Sequence, residues 1–284
     1  MIESNKHPAA PSRRESPAES TALAGHLSEM FCSVQGEGLF VGERQIFVRT
    51  AGCAATCSWC DTVYSKVQTP RFVIHGQRDA PARWRSNPVA LEDVIADVVS
   101  CARDHAPITT VSVTGGEPLE QPEFVAALAR ELRARDLRVY LETAGIHPQA
   151  LRAVLEHVDV IAMDIKLPSA TGAEHWDAHR EFFNVLRRGD FDPASGKRSL
   201  FVKVIVDLKA SAAEIERAAD LVAAFSPRVP LVLQPESETL LAEKSTREDR
   251  RSLLRLIDQG ARAASLRLHT VRVIPQTHKV LHVR

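Results

Sequence analysis

The sequence predicts an α/β protein built as an incomplete, TIM-type βα barrel of about six to seven strands. Short runs rich in Val, Ile and Leu alternate along the chain with helical segments of amphipathic spacing, which is typical of parallel strands covered by helices. The polar motifs follow directly after strands, where α/β folds place their active sites. The number of strands suits an incomplete barrel better than a closed barrel of eight. Periodicity alone does not separate such a barrel from a doubly wound sheet.

One domain over 27–284 is expected, preceded by a disordered tail over 1–26. The tail contains Pro8, Pro11 and Pro17 among many Ser, Ala, Glu and Arg residues and has no apolar periodicity, so it cannot form a packed core. Two stretches rich in proline or turn-forming residues, 66–88 and 189–198, are predicted to be loop insertions.

The individual elements follow from local patterns. Gln45–Thr50 is rich in β-forming residues and predicts a strand that leads into a cysteine-containing loop. Apolar residues at helical spacing predict a helix over Leu91–His105, which Pro107 cannot continue. The same two patterns predict further strands over Val111–Thr114, Arg138–Thr143, Val158–Ile165, Leu200–Val206, Val229–Gln234 and Leu266–Ile274, and helices over Pro122–Arg135, His147–His157, His175–Arg188, Ala212–Phe225 and Ser245–Ala264.

Composition excludes several classes of protein. Of the 284 residues, 44% are hydrophobic and 25% are charged, so the chain can form a substantial core. The 36 basic and 36 acidic residues cancel, which argues against a strongly basic surface for nucleic acid. No apolar run approaches the ~20 residues of a membrane span, and the N-terminus lacks a signal-peptide core. We therefore expect a cytoplasmic protein that binds neither nucleic acid nor membrane and keeps its thiols reduced.

Cys53, Cys57 and Cys60 form a C-x3-C-x2-C run. Three thiolates on one short loop can hold one face of a four-iron cluster, which usually takes four cysteines, so one iron would stay open to a small molecule. The spacing alone favours zinc equally, although a structural zinc site wants four ligands and Cys32 and Cys101 are isolated. A disulfide is disfavoured because no secretory signal accompanies the cysteines.

Two further motifs suit a polar small molecule. In TGGEP (Thr114–Pro118), two glycines let a ligand approach the backbone, and the Glu117 carboxylate suits an ammonium group. In QGEG (Gln35–Gly38), interpreted as lying before the first strand, Gln35 offers donors and an acceptor and Glu37 accepts from ring N–H groups. Both motifs are also common as simple turns.

Three residues flank the cysteine loop. Arg49 lies in a strand expected to be buried and needs a partner there. A substrate carboxylate would satisfy its bidentate fork, and an internal salt bridge would do so nearly as well. Asp61 is a candidate helix cap, and Thr62 follows it directly.

The strings SVQGEG (Ser33–Gly38), FVRTAGC (Phe47–Cys53) and CSWCDT (Cys57–Thr62), with GGEP after the next strand, resemble the 7-carboxy-7-deazaguanine synthase family of radical S-adenosylmethionine (SAM) enzymes. The resemblance spans roughly residues 29–280 and is densest over 33–62. Ala54 stands where this family usually has Asn, a change that leaves the thiolates untouched. The resemblance implies the radical SAM fold, which is a partial barrel.

The resemblance also implies residue roles. Cys53, Cys57 and Cys60 are expected to hold a 4Fe-4S cluster, and Thr62 a Mg²⁺ ion. The positions expected to bind SAM are Trp59, Gly116, Glu117, Glu142, Asp164, Lys166 and Gln234. The positions expected to bind substrate are Val34, Gln35, Gly36, Glu37, Arg49, Thr114, Gln276 and His278, and a surface role is equally open for His278. No side chain is assigned as a catalytic acid or base.

The implied activity is that of a lyase in queuosine and 7-deazapurine biosynthesis, a tRNA modification pathway. A radical generated from SAM would convert 6-carboxy-5,6,7,8-tetrahydropterin to 7-carboxy-7-deazaguanine with loss of ammonia. A flavodoxin- or ferredoxin-like protein is the expected electron donor, and a homodimer the expected assembly. Two alternatives stay open: an activating enzyme for a glycyl-radical protein, and a zinc-stabilised binding module without catalysis.

Overall fold

A ten-stranded sheet forms the centre of the molecule, with helices packed on its outer face. The structure, a computed structural model, describes residues 23–76, 81–104, 108–186, 190 and 198–283. The strands are β1 (Ala24–Gly25), β2 (Leu27–Val34), β3 (Arg44–Thr50), β4 (Arg71–Ile74), β5 (Arg83–Ser86), β6 (Val89–Ala90), β7 (Thr110–Gly115), β8 (Arg138–Thr143), β9 (Val160–Asp164), β10 (Ser199–Val206), β11 (Leu231–Pro235) and β12 (Val271–Val273). The helices are α1 (Leu91–Asp104), α2 (Pro122–Arg133), α3 (Pro148–Val154), α4 (Pro168–Thr171), α5 (Trp176–Val185), α6 (Ala212–Phe225), α7 (Ser237–Leu241), α8 (Arg247–Ser265) and α9 (Thr277–Val280).

The predicted partial barrel is confirmed. The neighbouring strands β3, β7, β8, β9, β10, β11 and β12 are parallel and follow one another in sequence order, as expected for a chain that repeats a βα unit. Within the described residues the sheet runs from β12 to β5 without closing on itself. Antiparallel pairing of β2 with β3, and of β5 with β4, extends it at the β5 side.

Helix termini are fixed by local chemistry. The N-terminus of α6 has a capping box, in which Ser211 and Glu214 each bond the other's backbone N–H, and Thr246 and Asp249 do the same for α8. Proline occupies the first turn of α2, α3 and α4, where its missing N–H costs nothing. None of the described helices combines the length and the apolar character that crossing a bilayer requires.

Alternate residues along the inner strands divide the barrel interior into two layers, since side chains alternate between the faces of a strand. An apolar, largely aromatic plug fills the barrel near the starts of β8, β9 and β10. It consists of Tyr140, Val160 and Phe201 together with Phe40. Two to four residues further along the same strands, polar Glu142 replaces the apolar side chains, as do Asp164 and Lys203. The barrel interior is therefore apolar at the strand starts and polar at the strand ends.

Four sequence-based expectations need correction. Residues 27–34 form β2, so the QGEG motif follows the first long strand rather than preceding it. The insertion 66–88 is not irregular throughout, because β4 and β5 pair within it. The predicted tail 1–26 ends earlier, since Ala24–Gly25 pair with β6; residues 1–22 lie outside the described part of the chain. The last strand covers 271–273 rather than 266–274, because the backbone N–H groups of residues 266–268 bond back to the end of α8 in a turn.

Of the predicted loop 189–198, only residues 190 and 198 are described. The C-terminal end of the helix predicted over His175–Arg188 likewise falls on residues outside the described part, and the observed helix ends at Val185.

Candidate active site

A cavity of about 350 Å³ opens at the carboxyl ends of the parallel strands. Nearly all of the side chains singled out from the sequence line it, although they come from distant parts of the chain. These residues are Val34, Gln35, Gly36, Glu37, Arg49, Cys53, Cys57, Trp59, Cys60, Thr62, Thr114, Gly116, Glu142, Asp164, Lys166, Gln276 and His278. Glu117 and Gln234 are buried and are not among the lining residues.

The cysteine loop is held by backbone hydrogen bonds. Gly52, in a left-handed conformation with φ of 109°, donates to the Ser65 carbonyl at 2.8 Å, and such a φ favours glycine. Cys53 donates to the Lys66 carbonyl at 3.2 Å, and Ser58 to that of Ala170 at 2.9 Å. Backbone hydrogen bonds to Ser65, Lys66 and Ala170 therefore hold the loop. Its three cysteines line the cavity.

Gly116 lies directly against this loop. A Cβ atom on Gly116 would be 2.0 Å from the Gly52 carbonyl oxygen, to which the next residue, Glu117, donates its N–H at 2.7 Å. The glycine thus permits the two segments to touch.

Glu117 departs from the expected role of contacting an ammonium group. Its buried carboxylate accepts from the N–H groups of Leu119 (3.0 Å) and Ala144 (2.6 Å) and from the Thr143 hydroxyl (2.8 Å). Because the chain's own donors already occupy this carboxylate, it stabilises the turn after β7 instead of facing the cavity.

Cys53, Cys57 and Cys60 line the cavity together. Burial raises the pKa of the Cys53 and Cys57 thiols, while the Lys166 ammonium opposes this effect at Cys57. Within the described residues, no three His, Cys, Asp or Glu side chains are grouped to hold a single metal ion. A cubic cluster needs no such group, because its thiolates bind separate irons. Three cysteines on one cavity wall fit a 4Fe-4S cluster.

A second wall carries Asp164 and Lys166 at the end of β9. The Lys166 ammonium lies 2.7 Å from Asp164 Oδ2 and 4.6 Å from the centroid of the Trp59 ring. Burial disfavours its charge, but the attraction of Asp164 and Cys57, together with the hydrogen bond to Asp164, raises the pKa of Lys166. In the described structure, buried Asp164 Oδ1 and Trp59 Nε1 have no hydrogen-bond partner, and neither amide atom of Gln234 has one. Such orphaned groups suit a polar ligand.

Another group of cavity side chains is built around Glu142, near the end of β8 and next to the strand that carries Asp164. One carboxylate oxygen accepts from Gln35 Nε2 at 2.8 Å and the other accepts from the Thr114 hydroxyl at 2.9 Å. Glu142 was assigned to the SAM side from the sequence, yet both of these partners were assigned to the substrate side. The assignment of Glu142 to SAM binding stays a prediction.

Arg49 forms the internal salt bridge that the sequence left open. Its Nε lies 2.8 Å from Glu29 Oε1, and its Nη1 donates to the Gly115 carbonyl at 3.0 Å. Glu29 also accepts from the Tyr64 hydroxyl at 2.7 Å and lies 3.0 Å from His75 Nε2. Arg49 still lines the cavity, so the salt bridge fixes a guanidinium at its edge.

Glu37 is held from two directions. Its carboxylate pairs with the Lys203 ammonium and accepts from Gln276 Nε2 at 2.6 Å. Burial alone would raise the pKa of Glu37, but the charge and hydrogen bond of Lys203 and the bond from Gln276 lower it to about 2. Glu37 is therefore an ionised acceptor at neutral pH.

Gln276 joins three loops. Besides Glu37, its amide nitrogen donates to Asp61 Oδ2 at 3.2 Å, and its amide oxygen accepts from the Ser237 hydroxyl. Asp61 also lies 3.0 Å from Lys279 Nζ. Asp61 thus binds the C-terminal segment. It is not the predicted helix cap, because the short 3-10 helix Val63–Lys66 that follows has no side-chain cap.

His278 packs against the QGEG loop. A Cβ on Gly36 would lie 2.0 Å from His278 Nδ1, and the Thr277 N–H donates to the Gly36 carbonyl at 2.8 Å. Burial lowers the pKa of His278 although Glu37 and Asp61 oppose this. The surface alternative is therefore wrong for this histidine.

Lys203 and Glu29 are among the cavity residues that sequence reasoning missed. Lys203 is a lysine within the apolar strand LFVKVIV, and Glu29 is a carboxylate within LSEMFCSV. A charge in a run that is otherwise typical of a buried strand was the available signal for both, because such a charge needs a partner.

Comparison with known proteins gives a consistent result. Residues 47–194 match the radical SAM superfamily. The chain is 37% identical to the 7-carboxy-7-deazaguanine synthase of Geobacter sulfurreducens over 262 residues, covering 90% of this chain and 96% of that protein. It is 30% identical to the enzyme of the same name from Archaeoglobus fulgidus, covering 92% of this chain and all of that protein, 100%. The crystal structure of QueE from Escherichia coli superimposes with a TM-score of 0.55 at 22% identity, covering 90% of this chain and 95% of that one, a likeness of fold.

Proposed function

Since the chain belongs to the 7-carboxy-7-deazaguanine synthase family of the radical SAM superfamily, we propose that it converts 6-carboxy-5,6,7,8-tetrahydropterin to 7-carboxy-7-deazaguanine with loss of ammonia. This reaction belongs to queuosine and 7-deazapurine biosynthesis. The observation that carries the proposal is that Cys53, Cys57 and Cys60 share one cavity with Gln35, Glu37 and Arg49. Redox-cluster ligands thereby face a hydrogen-bonding surface for a carboxylated heterocycle.

Cys53, Cys57 and Cys60 hold the cluster in this proposal, and the wall of Trp59, Asp164 and Lys166 binds SAM. When bound, the cluster and SAM supply hydrogen-atom abstraction by a carbon radical. The protein's task on this wall is to bind and orient. Asp164 Oδ1 and Trp59 Nε1 have hydrogen-bonding capacity left for a ligand, and Gly116 brings the backbone after β7 against the cysteine loop. Gln234 and Glu142 remain proposed SAM contacts.

The part of the cavity that contains Gln35, Glu37, Arg49 and Thr114 orients the substrate. Glu37 is an ionised acceptor, and Gln35 and Thr114 are fixed by shared bonds to Glu142. Arg49, anchored by Glu29, offers a cation for the substrate carboxylate. Val34, Gly36 and His278 complete this part of the cavity by shape. Holding both reactants in one geometry lowers the entropic part of the barrier.

Protection from water is the chain's other contribution. The plug of Phe40, Tyr140 and Phe201 closes the barrel below the cavity, and the segment 275–283 covers part of its mouth. A reactive radical is thereby kept from side reactions. Glu37 is ionised at neutral pH, which makes it an acceptor for the substrate and not a proton donor.

Several finer points belong to the same proposal. Thr62 lines the cavity beside Cys60, which supports it as one oxygen ligand of a Mg²⁺ ion whose other ligands are substrate oxygens and water. The proposed cluster would need one electron from a donor protein, for which a flavodoxin- or ferredoxin-like partner is proposed. A homodimer and a cytoplasmic location complete the proposal, the latter because thiolates that hold a cluster persist in a reducing compartment.

The test is an anaerobic assay of the reconstituted protein with SAM, dithionite, Mg²⁺ and 6-carboxy-5,6,7,8-tetrahydropterin. We expect 7-carboxy-7-deazaguanine by mass spectrometry together with ammonia, and neither product from the Cys60→Ala variant. Absence of product from wild-type protein with a full complement of iron and sulfide overturns the assignment.

The alternatives are not favoured. The matched synthases align over nearly their whole lengths, and no observation indicates a glycyl-radical partner. Iron, sulfide and zinc analysis after anaerobic purification tests the zinc-module alternative directly, because that alternative requires zinc and no sulfide.

A further inference from the structure

Lys203 lies where a cation is costly. It is in β10, among apolar residues, and is only 5% exposed. A buried ammonium destabilises a fold unless it is paired and hydrogen-bonded. An apolar side chain would pack at this position without that cost. Neighbouring groups must therefore stabilise the charge of Lys203.

Those neighbouring groups are three carboxylates of the cavity. Lys203 pairs with Glu37, and the nearby Asp164 and Glu142 also favour its charge. Its own backbone carbonyl accepts the Ile165 N–H at 2.9 Å, which fixes β10 against the strand that carries Asp164. Lys203, which is in register with Asp164, therefore lies among cavity carboxylates that come from the QGEG loop, β8 and β9.

The ion pair fixes the direction of the Glu37 carboxylate. Lys203 binds one oxygen, and Gln276 binds the other at 2.6 Å. A carboxylate has about four lone-pair sites, so two bonds leave each oxygen able to accept again. Because Glu37 lines the cavity, the remaining sites are available to a ligand.

We propose that Lys203 is a positioning residue for pterin recognition, which keeps Glu37 as an oriented, acceptor-only carboxylate for the adjacent N–H donors of a 2-amino-4-oxopyrimidine edge. The inference rests on the proposed function and names a residue that acts through Glu37. Two parallel N–H···O bonds to one carboxylate match such an edge, as they match a guanidinium. A protonated carboxyl would present one O–H donor against these donors and lose the match.

The charges around Glu37 explain why Lys203 controls this state. Burial would raise the pKa of Glu37, and Lys203 is the leading opposing influence, followed by Gln276 and His278. Tyr140 lies close enough to respond to the same carboxylate. Without the ammonium, burial favours protonation of Glu37, and the weaker influences of Gln276 and His278 are left to oppose it. A lysine that merely filled space would have no such effect.

The experiment measures binding of 6-carboxypterin, an air-stable compound that retains the 2-amino-4-oxopyrimidine edge, by anaerobic titration calorimetry at several values from about pH 6 to pH 8. Cluster-reconstituted wild-type protein is compared with Lys203→Met, Lys203→Arg, Glu37→Gln and the double variant Lys203→Met/Glu37→Gln. Lys209→Met is the matched control, since Lys209 is exposed in the turn after β10.

We expect Lys203→Met to weaken binding about tenfold or more at pH 8, as losing hydrogen bonds to a charged group does. A further loss approaching tenfold per pH unit follows below the new pKa of Glu37. Lys203→Arg keeps the wild-type pH profile, and Lys209→Met matches wild type. In the Glu37→Gln background, Lys203→Met changes neither the affinity nor its pH dependence by more than about threefold, because the group through which Lys203 acts is gone.

Three results contradict the inference. These are a Lys203→Met variant with wild-type affinity and pH profile, a loss that is the same at every pH, and an equal loss in the Glu37→Gln background. If Lys203→Met does not fold, the charge-retaining arginine variant and the double variant, which removes both charges, decide in the same way. Failure of wild-type protein to bind 6-carboxypterin overturns the proposed function, and this inference with it.

Discussion

The carbonyl oxygen of Gly52 lies 2.0 Å from the position that a Cβ atom on Gly116 would occupy. Backbone meets backbone at this point, so neither side can yield by rotating a side chain. The segment after β7 and the cysteine loop are thereby fixed relative to one another, which couples the proposed SAM contact to the proposed cluster ligands.

Gly116→Ala is expected to displace the cysteine loop. Overpacking of this kind costs about 1–3 kcal/mol, and we expect less iron and sulfide per chain after reconstitution, together with a lower urea midpoint. Gly42→Ala is the control, because Gly42 also has a positive φ of 89° but has no atom within 4 Å of its virtual Cβ. It should lose some stability and keep its full iron content. Equal iron content in the Gly116 variant contradicts the coupling.

Arg49→Lys is expected to raise the KM for the carboxypterin about tenfold or more, because lysine cannot reproduce a bidentate fork. The KM for SAM should stay within about twofold, since the proposed SAM contacts are elsewhere. Steady-state kinetics with each substrate varied in turn makes the comparison. Arg44→Lys, an exposed substitution at the start of the same strand, should leave both constants unchanged. An unchanged carboxypterin KM in Arg49→Lys would remove this residue from the substrate site.

His179 should make the apoprotein less stable in acid. It is fully buried, accepts the Lys166 N–H at 3.1 Å and lies 3.0 Å from the Gly145 carbonyl, an arrangement for neutral imidazole. Burial lowers the pKa of His179 from 6.5 to about 4. The unfolded chain therefore binds the proton first as pH falls, and stability present above about pH 6.5 is lost down to about pH 4.

The full loss attributable to His179 is about 3 kcal/mol, measured as the urea-unfolding free energy at intervals between these two pH values. His179→Gln should be less stable than wild type at pH 7 and should show a shallower decline in acid. A decline as steep in the variant as in the wild type would assign the acid sensitivity to other groups.

Asp97→Asn tests the attachment of the β4–β5 hairpin to α1. The Asp97 side chain is 4% exposed and pairs with Arg85, Nε to Oδ2, at 2.7 Å. Because Arg85 is partly exposed, we expect a loss of about 2 kcal/mol in unfolding free energy, less than for a fully buried pair. Asp220→Asn breaks an exposed pair with Arg267 and should cost under about 1 kcal/mol. Equal losses in the two variants would contradict a structural role for the Asp97 pair.

The repeated βα units could be predicted because each depends on local patterns. Arg138–Thr143 and Ala212–Phe225 were predicted with the bounds observed. The strands of the ten-stranded sheet that were missed, β2, β4 and β5, belong to its extension beyond β3, and the short pair β1 and β6 was missed as well. Their stability comes from pairing with neighbours, which a local pattern does not contain.

The site was predictable in its motifs and not in its pairings. Cys53, Cys57 and Cys60 are close in sequence, and their shared cavity wall follows from spacing. Glu37 and Lys203 are separated by 166 positions, so only the fold brings them together. Arg49 likewise needed an acidic partner, yet with 36 acidic residues in the chain nothing local selected Glu29.

Gln276 links loops that begin near residues 37, 61 and 237, and His278 and Val283 reach the same mouth. Anyone shortening this chain for crystallisation, or fusing a fluorescent reporter behind residue 283, would be altering the working surface and not a neutral extremity.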